Sequence, residues 1–373
     1  MNQDFPEDEL LVQEYGALGV IILNRPEALN ALSLDMIRAM SSALRRWEQK
    51  PAIRGVFIAG ADGGRAFCAG GDVKTVYYAG LDARQGKVDF RVPALFFAEE
   101  YSLNRQIFHY SKPVIAFMNG ITMGGGYGIA GNARYRIATD KTLFAMPEVG
   151  IGFFPDVGSL YHLSRCSGHF GRYLALSGER IGPGDMVRAG LAACYIEAGS
   201  REKLVKALEK AVRMHKVELA IDEALTSFAL PPPEGESLPR NAERIESVFS
   251  HADIDGILEA LQREGSLWAI DLFDLLCSRA PASVKVTAAH FNKALEQSFD
   301  EIIADDFVLA QHFLRRNDFY EGIRALLVDK DKTPSWSQGR FEDVTQDEIE
   351  SYFEPTGHVL EDIRIFISGE GAE

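Results

Sequence analysis

The chain has 373 residues, 46% hydrophobic and 25% charged, enough to bury one large apolar core or two ordinary ones, which excludes a disordered protein. A net charge of −15 repels polyphosphate at long range, so nucleic acid and anionic membrane surfaces are excluded as general partners. A small anionic ligand would need its own local cluster of Lys and Arg. Four scattered cysteines (Cys68, Cys166, Cys194, Cys277), with no CxxC pair and no His at ligand spacing, speak against a disulfide framework or a metal site. The start MNQDFPEDELL has no leader pattern, and no apolar run approaches the ~20 residues of a membrane span. The expectation is a soluble, cytoplasmic protein.

In chain order, the runs 18–23 (LGVIIL), 55–59 (GVFIA), 114–118 (VIAFM) and 135–138 (YRIA) are apolar and bounded by Gly, Pro or Asn, and read as buried strands. Between the first two, Ser33 can cap a helix whose stripe is Ile37, Met40, Leu44 and Trp47. Strand and helix in alternation predict an α/β core over residues 1–200. Beyond it, 201–229 reads as helix, LPPPEGESLP (230–239) as a Pro-rich linker, and 254–263, 268–278, 284–297 and 300–316 as amphipathic helices. An α-helical C-terminal region is therefore expected over 201–354, followed by a polar tail, 355–373.

Three segments carry chemistry. Gly64-Arg65-Ala66-Phe67-Cys68-Ala69-Gly70-Gly71-Asp72 follows the second predicted strand, and its small residues let main-chain N–H groups approach a ligand. Asn119-Gly120-Ile121-Thr122-Met123-Gly124-Gly125-Gly126-Tyr127-Gly128 joins a strand to a predicted helix whose first N–H groups suit an oxygen carrying negative charge. Two such loops, each offering one N–H, can form an oxyanion hole. The third, FAMPEVGIGFFPD (144–156), sets Glu148 and Asp156 eight residues apart among Met, Ile and Phe. An apolar setting raises a carboxyl's proton affinity and suits it to proton transfer or nucleophilic attack.

Together, LNRPEALNALSLDM, GRAFCAGGD, KPVIAFMNGITMGGGYGIAG and FAMPEVGIGFFPDVG resemble the crotonase (enoyl-CoA hydratase/isomerase) superfamily. GITMGGGYG, LFAMPEVGIGFFPDVG and EGIRALLVDKDKTPSW look like its 3-hydroxyisobutyryl-CoA hydrolase branch, and the resemblance runs from about residue 10 to 354. It implies an α/β fold, a crotonase-like spiral of ββα units with an α-helical C-terminal region. Carried over by motif, the oxyanion-hole donors are Ala69 and Gly125, and Glu148 and Asp156 are the catalytic pair. Gly71, Asp72, Gly124 and Glu100 (from FFAEEY) are substrate-binding, Glu100 reaching a 3-hydroxyl. Arg25, Arg65, Lys74, Lys330 and Lys332 are candidates for the CoA phosphates. Hydratases of the superfamily carry a glutamate four residues after the first glycine of the GGG run, where this chain has Gly128.

The implied activity is thioester hydrolysis of a short 3-hydroxyacyl-CoA in valine breakdown, with no cofactor, since coenzyme A belongs to the substrate. The branch implies a 3-hydroxyisobutyryl group, and the alternative acyl group is 3-hydroxypropionyl, one methyl smaller. An enoyl-CoA hydratase or isomerase is the alternative. Acyl-CoA is the expected partner, without nucleic acid, membrane or metal, and assembly into a homo-oligomer stays open. Gly126-Tyr127-Gly128-Ile129-Ala130-Gly131 formally fits GxGxxG, with Asp140 as a ribose acid, but GITMG separates it from its strand. No GxSxG elbow is present, and GLDARQGKV lacks phosphate-loop spacing. A purely structural subunit would not need Glu148 and Asp156.

Overall fold

The computed structural model describes residues 9–234 and 238–358. The first eight residues, the middle of the Pro-rich stretch and the tail from 359 lie outside that range. The chain forms two compact units interleaved in sequence. The first comprises Met1–Gly71, Leu103–Ala145 and Arg180–Pro239, and the second Asp72–Ser102, Met146–Glu179 and Arg240–Glu373.

The first unit holds the strands. β1 (Leu10–Tyr15), β2 (Leu18–Leu23), β3 (Gly55–Gly60), β5 (Val114–Met118), β7 (Tyr135–Ala138) and β9 (Cys194–Tyr195) form a six-stranded sheet in that order. It is parallel except for the β1–β2 hairpin. β4 (Ala66–Cys68), β6 (Ile121–Met123) and β8 (Leu143–Ala145) make a second, parallel three-stranded sheet. Each short strand directly follows a long one, so β3–β4, β5–β6 and β7–β8 are successive ββ steps. That is the crotonase-like α/β plan. The four strands expected from apolar runs are β2, β3, β5 and β7, and every residue of β3 and β5 is buried, as a parallel sheet covered on both faces requires.

Helix Leu34–Glu48 begins at Ser33, whose hydroxyl accepts the Met36 N–H, and it buries Ile37, Met40, Leu44 and Trp47. Burying each such side chain contributes roughly 1.5–3 kcal/mol. Trp47 keeps a polar contact, donating Nε1–H to Glu14 on β1 at 3.0 Å.

The helices Arg201–Val212 and Val217–Phe228 were expected to open the C-terminal helical region, yet they belong to the sheet. Leu204, Leu208, Val212, Ile221 and Leu225 share one core with Leu18, Phe57, Ile115 and Ile137. In place of a boundary at residue 200, the units divide after Pro239, and Asp72–Ser102 and Met146–Glu179 of the expected core fall in the second unit. Amphipathic spacing says that a helix has an apolar face, not which sheet covers it.

The described part of the second unit is helical. It contains Val73–Arg84, Phe170–Ser177, Ile254–Glu264, Leu267–Cys277, Pro281–Ala294, Phe299–Phe313 and Asn317–Ile323, among others. The four amphipathic stretches expected beyond 254 correspond to Ile254–Glu264, Leu267–Cys277, Pro281–Ala294 and Phe299–Phe313. No helix among the described residues is long and apolar enough to cross a membrane.

Candidate active site

Within the first unit the two glycine loops lie against each other. A Cβ on Gly70 would stand 3.9 Å from the Gly125 nitrogen, and one on Gly126 would lie 2.1 Å from the Cys68 carbonyl oxygen. Gly70 also has φ +125°, a conformation open to glycine alone. Helix Gly125–Gly131 starts inside the GGG run, and its first internal bond runs from the Gly128 N–H to the Gly124 carbonyl at 3.0 Å. The Gly125 N–H is left without a helical acceptor, as first-turn donors are.

The first loop departs from expectation at Ala69. Its N–H donates to the Leu29 carbonyl at 3.0 Å, so it is not free to serve a ligand oxygen. Two residues on, Gly71 lies beside Leu32 in a parallel bridge, and among the described residues its N–H meets no acceptor. The expectation of Ala69 as donor is thereby corrected, because which N–H is free depends on which one the neighbouring segment consumes.

The neighbouring segment is LNRPEALNAL. Asn30, fully buried, donates its amide to the Ala66 and Phe67 carbonyls at 2.9 and 3.1 Å and accepts the Arg25 N–H at 2.8 Å. Leu29 and Asn30 both have left-handed backbone (φ +53° and +56°), which Asn tolerates better than most residues. This brace escaped sequence reasoning, although an Asn inside an otherwise apolar run was its signal.

The second unit carries acids instead. Helix Arg91–Phe108 presents Phe97, Glu100 and Tyr101 on one face, with Phe97 and Tyr101 one turn apart. Glu148 opens a short 3-10 turn, Glu148–Ile151, and Asp156 follows Phe153-Phe154-Pro155. All three carboxyls are buried: Glu100 is 2% exposed, Glu148 7% and Asp156 5%. Phe97 stacks on Phe153 at 5.2 Å, and Phe153 also meets Phe313 and Phe319.

The electrostatics follow from that burial. Tyr101 donates its hydroxyl to Asp156 Oδ2 at 2.6 Å. Desolvation pushes the Asp156 carboxyl up to about 8, with Asp306 adding to the rise and the Tyr101 bond opposing it. Glu148 is raised well above the ordinary carboxylate range by burial, then by Asp156, with Glu100 a smaller contributor. Glu100 is raised by burial and then by Asp156. One oxygen of Glu100 and one of Glu148 are buried with no hydrogen-bond partner among the described residues. An unmet acceptor is costly in a dry setting, and a bound molecule with a donor would relieve it. Tyr101 was not singled out from the sequence, although it stands next to Glu100 in FFAEEY.

The remaining candidates are dispersed. Arg25 uses its guanidinium on Glu9 and on the Ala31 carbonyl, each at 3.3 Å. Arg65, in the first unit, and Lys74, in the second, are exposed. Asp72 precedes helix Val73–Arg84 without capping it through its side chain. Lys330 and Lys332 are exposed and left-handed, and alternate with Asp329 and Asp331, which pair with Arg324 at 2.7 and 2.6 Å. Gly128 is buried inside its helix and offers only main-chain atoms there.

Comparisons with known proteins add to this geometry. A family model described as enoyl-CoA hydratase/isomerase matches residues 18–353. The chain is 36% identical over 355 residues to 3-hydroxyisobutyryl-CoA hydrolase, mitochondrial, of Homo sapiens, covering 94% of this chain and 89% of that protein. It is 39% identical over 360 residues to the Xenopus laevis protein of the same name, covering 95% and 91%. Among solved structures, a carnitinyl-CoA dehydratase from Mycobacterium thermoresistibile superposes with a TM-score of 0.86 at 33% identity, covering 95% and 99%. An enoyl-CoA hydratase from Rhodobacter sphaeroides 2.4.1 gives 0.83 at 32%, covering 94% and 98%. The word mitochondrial in the relatives' names differs from the cytoplasmic location expected for this chain from its sequence.

Proposed function

The chain belongs to the enoyl-CoA hydratase/isomerase family, and on that premise we propose that it hydrolyses 3-hydroxyisobutyryl-CoA to 3-hydroxyisobutyrate and free CoA. The observation that carries this reading is the set of three buried carboxyls, Glu100, Glu148 and Asp156, each holding its proton more tightly than a free acid, together with a glycine at position 128. Hydration of a double bond by the superfamily's two-glutamate route needs an acid at 128. Hydrolysis needs a base or nucleophile near a carbonyl carbon and a stabilised oxyanion. The two solved structures carry hydratase and dehydratase titles, whereas the curated relatives of similar identity carry the hydrolase name.

Attack on the thioester moves negative charge onto the acyl oxygen. The Gly125 N–H and the Gly71 N–H are the donors that the first unit keeps uncommitted. Each such donor is worth ~3 kcal/mol to the transition state. Glu148, raised by its apolar setting, binds a proton more tightly once ionised than a free glutamate does, and so takes one from water more readily. The hydroxide adds to the carbonyl carbon, the C–S bond breaks, and the thiolate departs with a proton steered through Asp156 and Tyr101. In the covalent variant Glu148 itself attacks and water cleaves the resulting anhydride. Glu100 offers its unpartnered oxygen to the 3-hydroxyl. Water is the only co-reactant.

The test is thiol release from 3-hydroxyisobutyryl-CoA measured beside hydration of crotonyl-CoA. Thiol release without hydration is expected; hydration alone would overturn the reading. In single turnover in 18O-water, label in Glu148 would establish the covalent route, with water attacking the Glu148 carbonyl carbon of the anhydride.

A further inference from the structure

The residue after Asp156 sits in a conformation its side chain resists. Val157 has φ +59°, and among the described non-glycine residues with positive φ it is the one β-branched side chain. Such a residue enters the left-handed region only where its surroundings force it. Gly158 continues the turn at φ +71°, with the Phe299 ring 2.3 Å from where a Cβ would stand. Val157 is buried, so solvent contributes nothing to holding this shape.

Two of the hydrogen bonds around it tie the turn down. The Ser159 N–H donates to the Asp156 carbonyl at 2.9 Å, closing the turn on itself. The Gly158 N–H donates to Asp306 Oδ2 at 2.8 Å, tying the turn to helix Phe299–Phe313. The other oxygen of Asp306 meets His290 Nε2 at 2.7 Å, from helix Pro281–Ala294. Asp306 and His290 are both fully buried. A buried carboxylate is costly unless each oxygen is met, and here one is met by the turn and the other by the imidazole.

We propose that Asp306 and His290 are a positioning pair for the reaction: Asp306 clamps the left-handed Asp156–Val157–Gly158 turn through the Gly158 N–H, His290 fixes Asp306, and the Asp156 carboxyl is thereby kept on the Tyr101 hydroxyl. The inference rests on the reading of Asp156 as a working group in thioester hydrolysis. The pair touches no substrate in this account. It acts through the main chain, and through charge. The groups that bear on Asp156 are Tyr101, Glu100, Glu148 and Asp306, and among them Asp306 adds to its hold on a proton from within the fold.

The experiment compares Asp306→Ala, Asp306→Asn, Val157→Gly and the Asp306→Ala/Val157→Gly double variant of the full chain, in thiol release and in thermal stability. Asp306→Ala is expected to lower kcat by about tenfold to a hundredfold while KM moves little, as loss of alignment does. Glycine enters the left-handed region without strain, so Val157→Gly alone should keep the parent's kcat, with Tm lowered by loss of the buried side chain, and should return at least about fivefold of the kcat lost in Asp306→Ala. With kcat read on folded samples a general loss of stability does not enter the comparison, so absence of that rescue in a folded double variant overturns the proposal. Asp306→Asn keeps an acceptor for the Gly158 N–H but removes the charge. It should shift the Asp156 limb of the pH profile about one unit lower. If Asp306→Ala does not fold, Asp306→Asn decides, and an unmoved limb refutes the pair. If the parent releases no thiol, the functional reading falls first. The pair is then judged by the 13C carboxyl titration of Asp156, assigned with Asp156→Asn, which Asp306→Asn must move to lower pH.

Discussion

The two units place their chemistry on opposite materials. In the first, the uncommitted groups are the main-chain N–H donors of Gly71 and Gly125, beside Gly126, where a side chain would collide with the Cys68 carbonyl. In the second, the groups are side-chain carboxyls sealed among Phe97, Phe153 and Tyr101, where a charge is disfavoured and a proton is held tightly. The first region should be sensitive to added atoms, and the second to loss of charge even where the shape is kept. A donor bound to the backbone is cheap to orient but fixed in strength, whereas a buried acid is costly in stability and tunable by its neighbours.

Predictions that break or sharpen this contrast fall in a clear order. The largest effect is expected from Glu148→Gln, isosteric and without a basic oxygen pair, which should lower kcat by about 10³-fold in a folded protein; near-normal turnover would remove Glu148 from the chemistry. Gly126→Ala should come next. Its Cβ would lie 2.1 Å from the Cys68 carbonyl oxygen, so the start of helix Gly125–Gly131 must move. A loss of about 10²-fold in kcat together with a lower Tm is expected, read by kinetics and calorimetry on the same sample.

Stability should then respond with opposite signs. Glu100, Glu148 and Asp156 all have folded-state proton affinities raised above those of the unfolded chain, with Asp156 at about 8. Between about pH 4 and pH 8 the folded protein holds protons that the unfolded chain has released, so stability falls as pH rises through that window. Glu148→Gln should therefore raise Tm at pH 8 more than at pH 5, while Gly126→Ala lowers it at both. Equal Tm shifts at the two pH values for Glu148→Gln would show that its carboxyl is ionised without penalty. The smallest effect is expected at Lys330 and Lys332, whose exposed charges alternate with Asp329 and Asp331. Replacing both with Ala should raise KM by no more than about threefold and leave kcat unchanged, since exposed pairs contribute ~0–1 kcal/mol.

Much of this protein is legible in order along its chain. The strands β2, β3, β5 and β7 are readable because a parallel strand buried on both faces is a continuous apolar run, and the Ser33 cap because its bond to Met36 is local. Glu148, Asp156, Gly125 and the loop that holds Gly71 could be singled out for the same reason: glycine runs and acids among aromatics are local patterns. β4, β6 and β8 were not, being three residues each, too short for a period to show.

What only the tertiary structure decided is which of these groups are free and which are spent. The Ala69 N–H is consumed by the Leu29 carbonyl, 40 residues earlier, and the Gly71 N–H is not. The helices at 201–228 join the sheet because its face needs covering, which their amphipathic stripe alone cannot say. Tyr101 meets Asp156 across 55 residues, and Asp306 meets His290 and, across 148 residues, the Gly158 N–H. The sequence by itself determined the elements and the chemical types available, because those depend on neighbours along the chain. The assignment of each donor to an acceptor depends on neighbours in space, and a hydrogen bond made there removes a group from chemistry as surely as a substitution would.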